Sequence, residues 1–68
     1  RALRDLKKAV ALNQAAAALR AKDYSLAREA ATRALDVDPA NAMGLYRRAQ
    51  ALAALGELDE AEARHRRG

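Results

Sequence analysis

The sequence predicts an all-α fold: two antiparallel helix hairpins stacked side by side. Three observations carry this. Alanine supplies 20 of the 68 residues and leucine ten, a strongly helix-forming composition. The β-branched residues are Val10, Thr32 and Val37 alone, too scattered for a strand. And the chain matches itself in type when shifted by 34 residues, with Ala15 falling on Ala49, Ala17 on Ala51, and Ala27 on Ala61.

The elements follow in order. The first helix is expected from about Ala2 to Ala21, with Leu3, Leu6, Val10, Ala17 and Leu19 at its apolar positions. Asp23 is placed to cap the second, from about Tyr24 to Val37, by accepting an orphan backbone N–H. Leu26, Ala27, Ala30, Ala31, Ala34 and Leu35 give that helix one apolar face. Asp38-Pro39 ends it, because a residue before proline is pushed out of the helical region. Asn41 caps the third, about Ala42 to Leu55. Gly56 suits the left-handed residue that follows a helix end, and a fourth helix is expected from near Leu58 to near Arg67. The expected core is Leu19, Leu26, Ala27, Ala30, Ala34, Leu35, Leu45, Ala49, Leu52, Leu55, Leu58 and Ala61. So many alanines also imply closely approaching helices.

Composition excludes several function classes. Without cysteine there is no disulfide framework and no thiolate zinc site. His65 is the one histidine, with Glu62 its nearest carboxylate, so no metal is expected. Glu57, Asp59, Glu60 and Glu62 complement the start of a helix and have no nucleophile or cofactor loop beside them. Ser25 lacks His-Asp company, and no glycine-rich phosphate loop exists. No catalytic residue and no cofactor is predicted. No stretch is apolar enough to span a bilayer. The net charge of +4 favours an acidic partner. Arg64-His65-Arg66-Arg67 suits a helix C-terminus, and without stacking aromatics or a recognition motif, nucleic acid is not the expected partner. Arg1 in place of an initiator methionine, with no signal-peptide pattern, reads as a segment of a longer chain.

A 34-residue period with two helices per unit is the tetratricopeptide spacing. Both hairpin turns carry an acidic residue and then a large apolar one at the same phase, Asp23-Tyr24 and Glu57-Leu58. The stretches Asp38-Pro39-Ala40-Asn41, Gly44 to Gln50, and Leu55 to Ala61 resemble a tetratricopeptide repeat (TPR). The run Leu45 to Gln50 looks like the last repeat of the domain found in large immunophilins and other heat-shock co-chaperones. Leu12 to Ala16, through Asp23-Tyr24 to Ala34-Leu35, is similar to that domain's middle repeat. The resemblance implies a right-handed α-solenoid fragment with a first repeat over 8–41, extended at its N-terminus from 1, and a truncated second repeat over 42–68. It also implies a cytoplasmic protein, and allows a prolyl-isomerase domain in the parent chain, outside these residues.

The resemblance further implies a carboxylate clamp that binds the acidic C-terminus of a heat-shock chaperone. Asn13 matches the clamp's asparagine and Arg47 its arginine, while Met43 stands where a lysine is expected. Spacing places Ala9, Leu12, Asn13, Ala16 and Arg20 on one side of the first helix, and Met43, Tyr46, Arg47, Gln50 and Ala54 on the equivalent side of the third. Parallel stacking lines these sides up as one concave surface. A guanidinium fork and an amide can hold a carboxylate, and Met43 is an adaptable apolar contact. The plainer readings are that Arg47 pairs with an acidic neighbour, that Asn13 bonds within its hairpin, and that Tyr24 and Tyr46 pack.

Asn13, Met43, Tyr46, Arg47 and Gln50 are therefore the candidate peptide-binding residues of a protein-interaction module. The alternative is a structural repeat segment scaffolding a larger protein or oligomer. Two repeats leave apolar edges uncovered, so either the native chain is expected to continue on both sides or the isolated segment is expected to self-associate.

Overall fold

The computed structural model describes the backbone from Ala2 to Arg67 and side chains from Ala2 to Leu58. It is all-α, with α1 at Ala2–Arg20, α2 at Tyr24–Val37 and α3 at Ala42–Arg67. The start of α1 meets the end of α2, where Arg4 Nη2 donates to the Val37 carbonyl at 3.0 Å. Leu35 near the end of α2 meets Gly44 near the start of α3, and Ala27 meets Ala51 further along. Each consecutive pair is thus antiparallel. The α1 and α3 helices flank α2 and touch each other more sparingly.

The turns are built from local chemistry. Asp23 Oδ1 accepts from the Leu26 N–H at 3.3 Å and caps α2. The α1–α2 turn closes with the Asp23 N–H on the Ala18 carbonyl at 2.8 Å and the Lys22 N–H on the Leu19 carbonyl at 3.1 Å. This bond pair ends a helix through one left-handed residue, and that residue is Lys22, at φ 61°. Asp38 is extended before Pro39, at φ −140° and ψ 88°, while its N–H still bonds the Ala34 carbonyl. Asn41 Oδ1 accepts from the Gly44 N–H at 2.8 Å and caps α3. The expected caps and the proline stop hold.

The core is almost wholly alanine. Ala15 packs with Ala30 and Ala31. Ala18 packs with Ala27 and Ala51, and Leu19 covers that cluster. Ala11, Ala34 and Leu35 complete it. Side chains this small let the helix backbones approach closely. At Gly44 an added Cβ would stand 3.0 Å from Leu35 Cδ2, so a larger residue there would make the Leu35 side chain give way by a few tenths of an ångström.

Two expectations are corrected. The helix does not end at Gly56: no glycine among the described residues has positive φ, and α3 runs on to Arg67 as one element. Glycine permits a left-handed end without forcing one. A helix continues through it when its backbone bonds continue.

The core was also placed wrongly in part. Leu26, Leu45, Leu52 and Leu58 are exposed, and so is Ala49, while Leu19 and Leu55 are half-buried. Ala61 lies outside the described side chains. The reason shows in the repeat register. Shifting Ala11, Ala15 and Ala18 by 34 gives Leu45, Ala49 and Leu52. The α1 residues are buried against α2. Their α3 counterparts face no fourth helix, and α3 instead buries Gly44 and Ala51 toward α2.

Candidate peptide-binding face

The candidate face is built by α1 and α3. On α1, Leu12, Ala16 and Leu19 form a half-buried row at helical spacing, with Asn13 exposed beside it. On α3, Arg47 and Ala54 are half-buried on either side of buried Ala51, while Gln50 is exposed. Met43 is 46% exposed and Tyr46 59%. Tyr46 therefore does not pack, whereas Tyr24 is half-buried.

Arg47 is the distinctive member. Its Nε is buried without a hydrogen-bond partner. Among the described residues the ion pair is Lys8 with Asp38, so no described carboxylate neutralises Arg47. A partnerless buried donor costs roughly 1–3 kcal/mol. The inner end of the guanidinium is thus held out of solvent in a half-buried side chain, which restricts the group. That is the condition in which an arginine can offer a pre-positioned fork to a ligand carboxylate.

Gln50 borders a hollow of about 380 Å³ walled by Leu19, Tyr24, Ala53, Ala54 and Glu57. This hollow joins the end of α1, the start of α2 and the middle of α3. Sequence reasoning assigned Gln50 to the face but missed Leu19, Tyr24 and Glu57. Glu57 could have been found, since positions 46, 50, 53 and 57 share a helical row. It lies ten residues beyond Arg47, about 15 Å along the helix.

The other flank of the hairpin is apolar. Leu6, Val10, Ala11 and Val37 line an open hollow of about 390 Å³. Across it, Arg33 Nη2 donates to Gln14 Oε1 at 3.1 Å. Gln14 and Arg48 are both exposed. No helix of the described structure is long and apolar enough to cross a membrane. The described residues gather no group of three or more potential metal ligands. His65 and the Arg64–Arg67 run lie outside the described side chains.

A family model for the tetratricopeptide repeat matches residues 30–63. The chain belongs to the tetratricopeptide-repeat family. Its 34-residue period, paired helices and small-residue core are those of a TPR protein-interaction module. Protein unc-45 homolog B of Danio rerio is 48% identical over 58 residues, covering 81% of this chain and 6% of the relative. The Mus musculus protein of that name is 47% identical over 49 residues, 72% of this chain and 5% of the relative. The Homo sapiens one is 45% identical over the same length and shares. The TPR chain thus spans about a twentieth of these relatives. No solved structure matches it significantly.

These relatives correct the finer resemblance: they are unc-45 homologues, not immunophilins. The run Leu45 to Gln50 encodes a repeat helix, a feature repeat proteins share, so it does not separate subclasses. The idea of a prolyl-isomerase domain in the parent chain loses its support with it.

Proposed function

We propose that this TPR module binds the acidic C-terminal peptide of a heat-shock chaperone, as a cytoplasmic co-chaperone does. Arg47 takes the terminal carboxylate. Asn13, 34 residues earlier and at the same phase of the repeat, hydrogen-bonds the peptide backbone. Met43 and Tyr46 give apolar contact, and Gln50 adds an amide beside the hollow. The observation that carries the reading is Arg47, half-buried with Nε unpartnered and without a carboxylate neighbour among the described residues. The net charge of +4 favours an acidic ligand as well.

The test is binding of a short acidic peptide with a free C-terminus, against the same peptide amidated. Wild type and Arg47→Ala are compared at low and physiological salt. Binding that needs the free carboxylate and is lost in Arg47→Ala is expected. Equal binding of both peptides, or none, removes the clamp.

A second reading is favoured by the apolar flanks. Leu3, Leu6 and Val10 on α1, and Leu45 and Leu52 on α3, are all at least 45% exposed. Such edges suit a structural repeat segment that packs against neighbouring repeats or against a second copy. Sedimentation of the isolated chain tests this: a monomer at all concentrations speaks against self-association.

A further inference from the structure

We infer that the row Leu45, Ala49, Leu52 and Gly56 on α3 is a self-complementary docking face, which takes the same row of a second copy running antiparallel. The inference rests on the second reading above and deepens it by naming the face, the occupant and the register.

Three observations carry it. First, the face is open. Leu45 and Leu52 are 51% and 45% exposed, Ala49 is exposed, and a Cβ built on Gly56 meets nothing within 4 Å. The equivalent α1 residues, Ala11, Ala15 and Ala18, are buried, so this is a helix-packing face left without its helix. Second, α3 is one helix through Gly56, which keeps the four residues in one row about 16 Å long. Third, the row matches its own reverse. Its steps are four, three and four residues in either direction, and bulk alternates large, small, large, small.

Turned end for end, Leu45 stands opposite Gly56 of the second copy, and Leu52 opposite Ala49 of the second copy. Each leucine meets a small residue, the alternation that lets two helices interdigitate. A parallel pairing in register would set leucine on leucine and leave a gap where Gly56 meets glycine. Because the row pairs with itself, the contact is isologous and closes at a dimer. Arg48 borders the row and comes opposite Leu55 of the second copy. Its stem covers that leucine while its head stays in water, so no charge is buried.

Sedimentation of the full chain at rising concentration should show a monomer–dimer equilibrium. Leu52→Lys, at an exposed site, should weaken the dimer about tenfold or more, with helicity by circular dichroism unchanged. Gly56→Leu should weaken it too, by facing leucine with leucine, and Leu45→Ala in the same chain should restore it. The chain has no cysteine, so introduced thiols report the register. In an oxidised equal mixture of Ala49→Cys and Leu52→Cys chains, the mixed disulfide should exceed its random share. Association that survives Leu52→Lys, or disulfides in random proportion, would overturn this face and leave the second-copy reading standing on another. A monomer at every concentration would remove both. If Leu52→Lys also destabilises that monomer, the row is covered by the chain's own residues beyond Gly56.

Discussion

The Nζ of Lys8 lies 3.4 Å from Oδ2 of Asp38, across 30 residues of sequence. Asp38 ends α2, and the same oxygen accepts from Asn41 Nδ2 at 3.5 Å, where α3 begins. One carboxylate thus ties the first helix to the turn that launches the third. The pair is partly screened, with side chains 29% and 38% exposed. A double-mutant cycle of Lys8→Met and Asp38→Asn should give a coupling of about 0.2–1 kcal/mol that shrinks with added salt. Asp38→Ala alone should cost more than Lys8→Met, since it also removes the acceptor of Asn41. Chemical denaturation at low and high salt measures both.

Lys22 has φ 61°, a conformation that costs an L-residue about 1–2 kcal/mol. Glycine pays no such penalty but loses more freedom on folding. Lys22→Gly should therefore stabilise the chain by about 1 kcal/mol, raising the melting temperature by about 4–8 °C in a domain this small. Lys22→Val, β-branched at the same φ, should lower it. Thermal melts by circular dichroism read both.

Gly56 sits inside α3, and a Cβ built on it meets nothing within 4 Å. Gly56→Ala should then add helix propensity without a clash, a gain of about 0.8–1 kcal/mol. A loss of stability instead would mean that the chain bends at Gly56 in solution with positive φ, where alanine is strained. The sign of one substitution decides between a continuous third helix and a closed second hairpin.

Those turns show what was legible in the sequence and why. Asp23, Asp38-Pro39 and Asn41 act on backbone groups within a few residues, so local chemistry determined their roles. Gly56 was misread because a helix end there needs the following residues to pack on Leu45, Ala49 and Leu52, a non-local condition. The core was half legible for a related reason. Helical spacing identifies faces, but an alanine-rich helix offers several. The leucines suggested the buried face, whereas close approach selected Ala15, Ala18, Ala31 and Ala51. For the site, spacing alone put Met43, Arg47 and Gln50 together. No spacing could reveal that Arg47 Nε would be buried without a partner.

That last feature separates a binding role for Arg47 from a structural one. If Arg47 served the fold, its removal would cost stability. Its buried Nε has no partner, and such a group is a liability of roughly 1–3 kcal/mol. Methionine has nearly the same helix propensity as arginine and an unbranched stem that fills similar space. Arg47→Met should therefore leave the unfolding free energy unchanged or raise it by about 1 kcal/mol, while abolishing carboxylate-dependent peptide binding. Arg47→Lys keeps the charge but not the planar fork, and should retain only part of the affinity. Denaturation and peptide titration on the same preparations test this, with sedimentation to exclude association through the new methionine. A destabilised Arg47→Met that still binds peptide would assign the arginine to the fold. Stability kept and binding lost means that the chain carries this unsatisfied donor for its ligand.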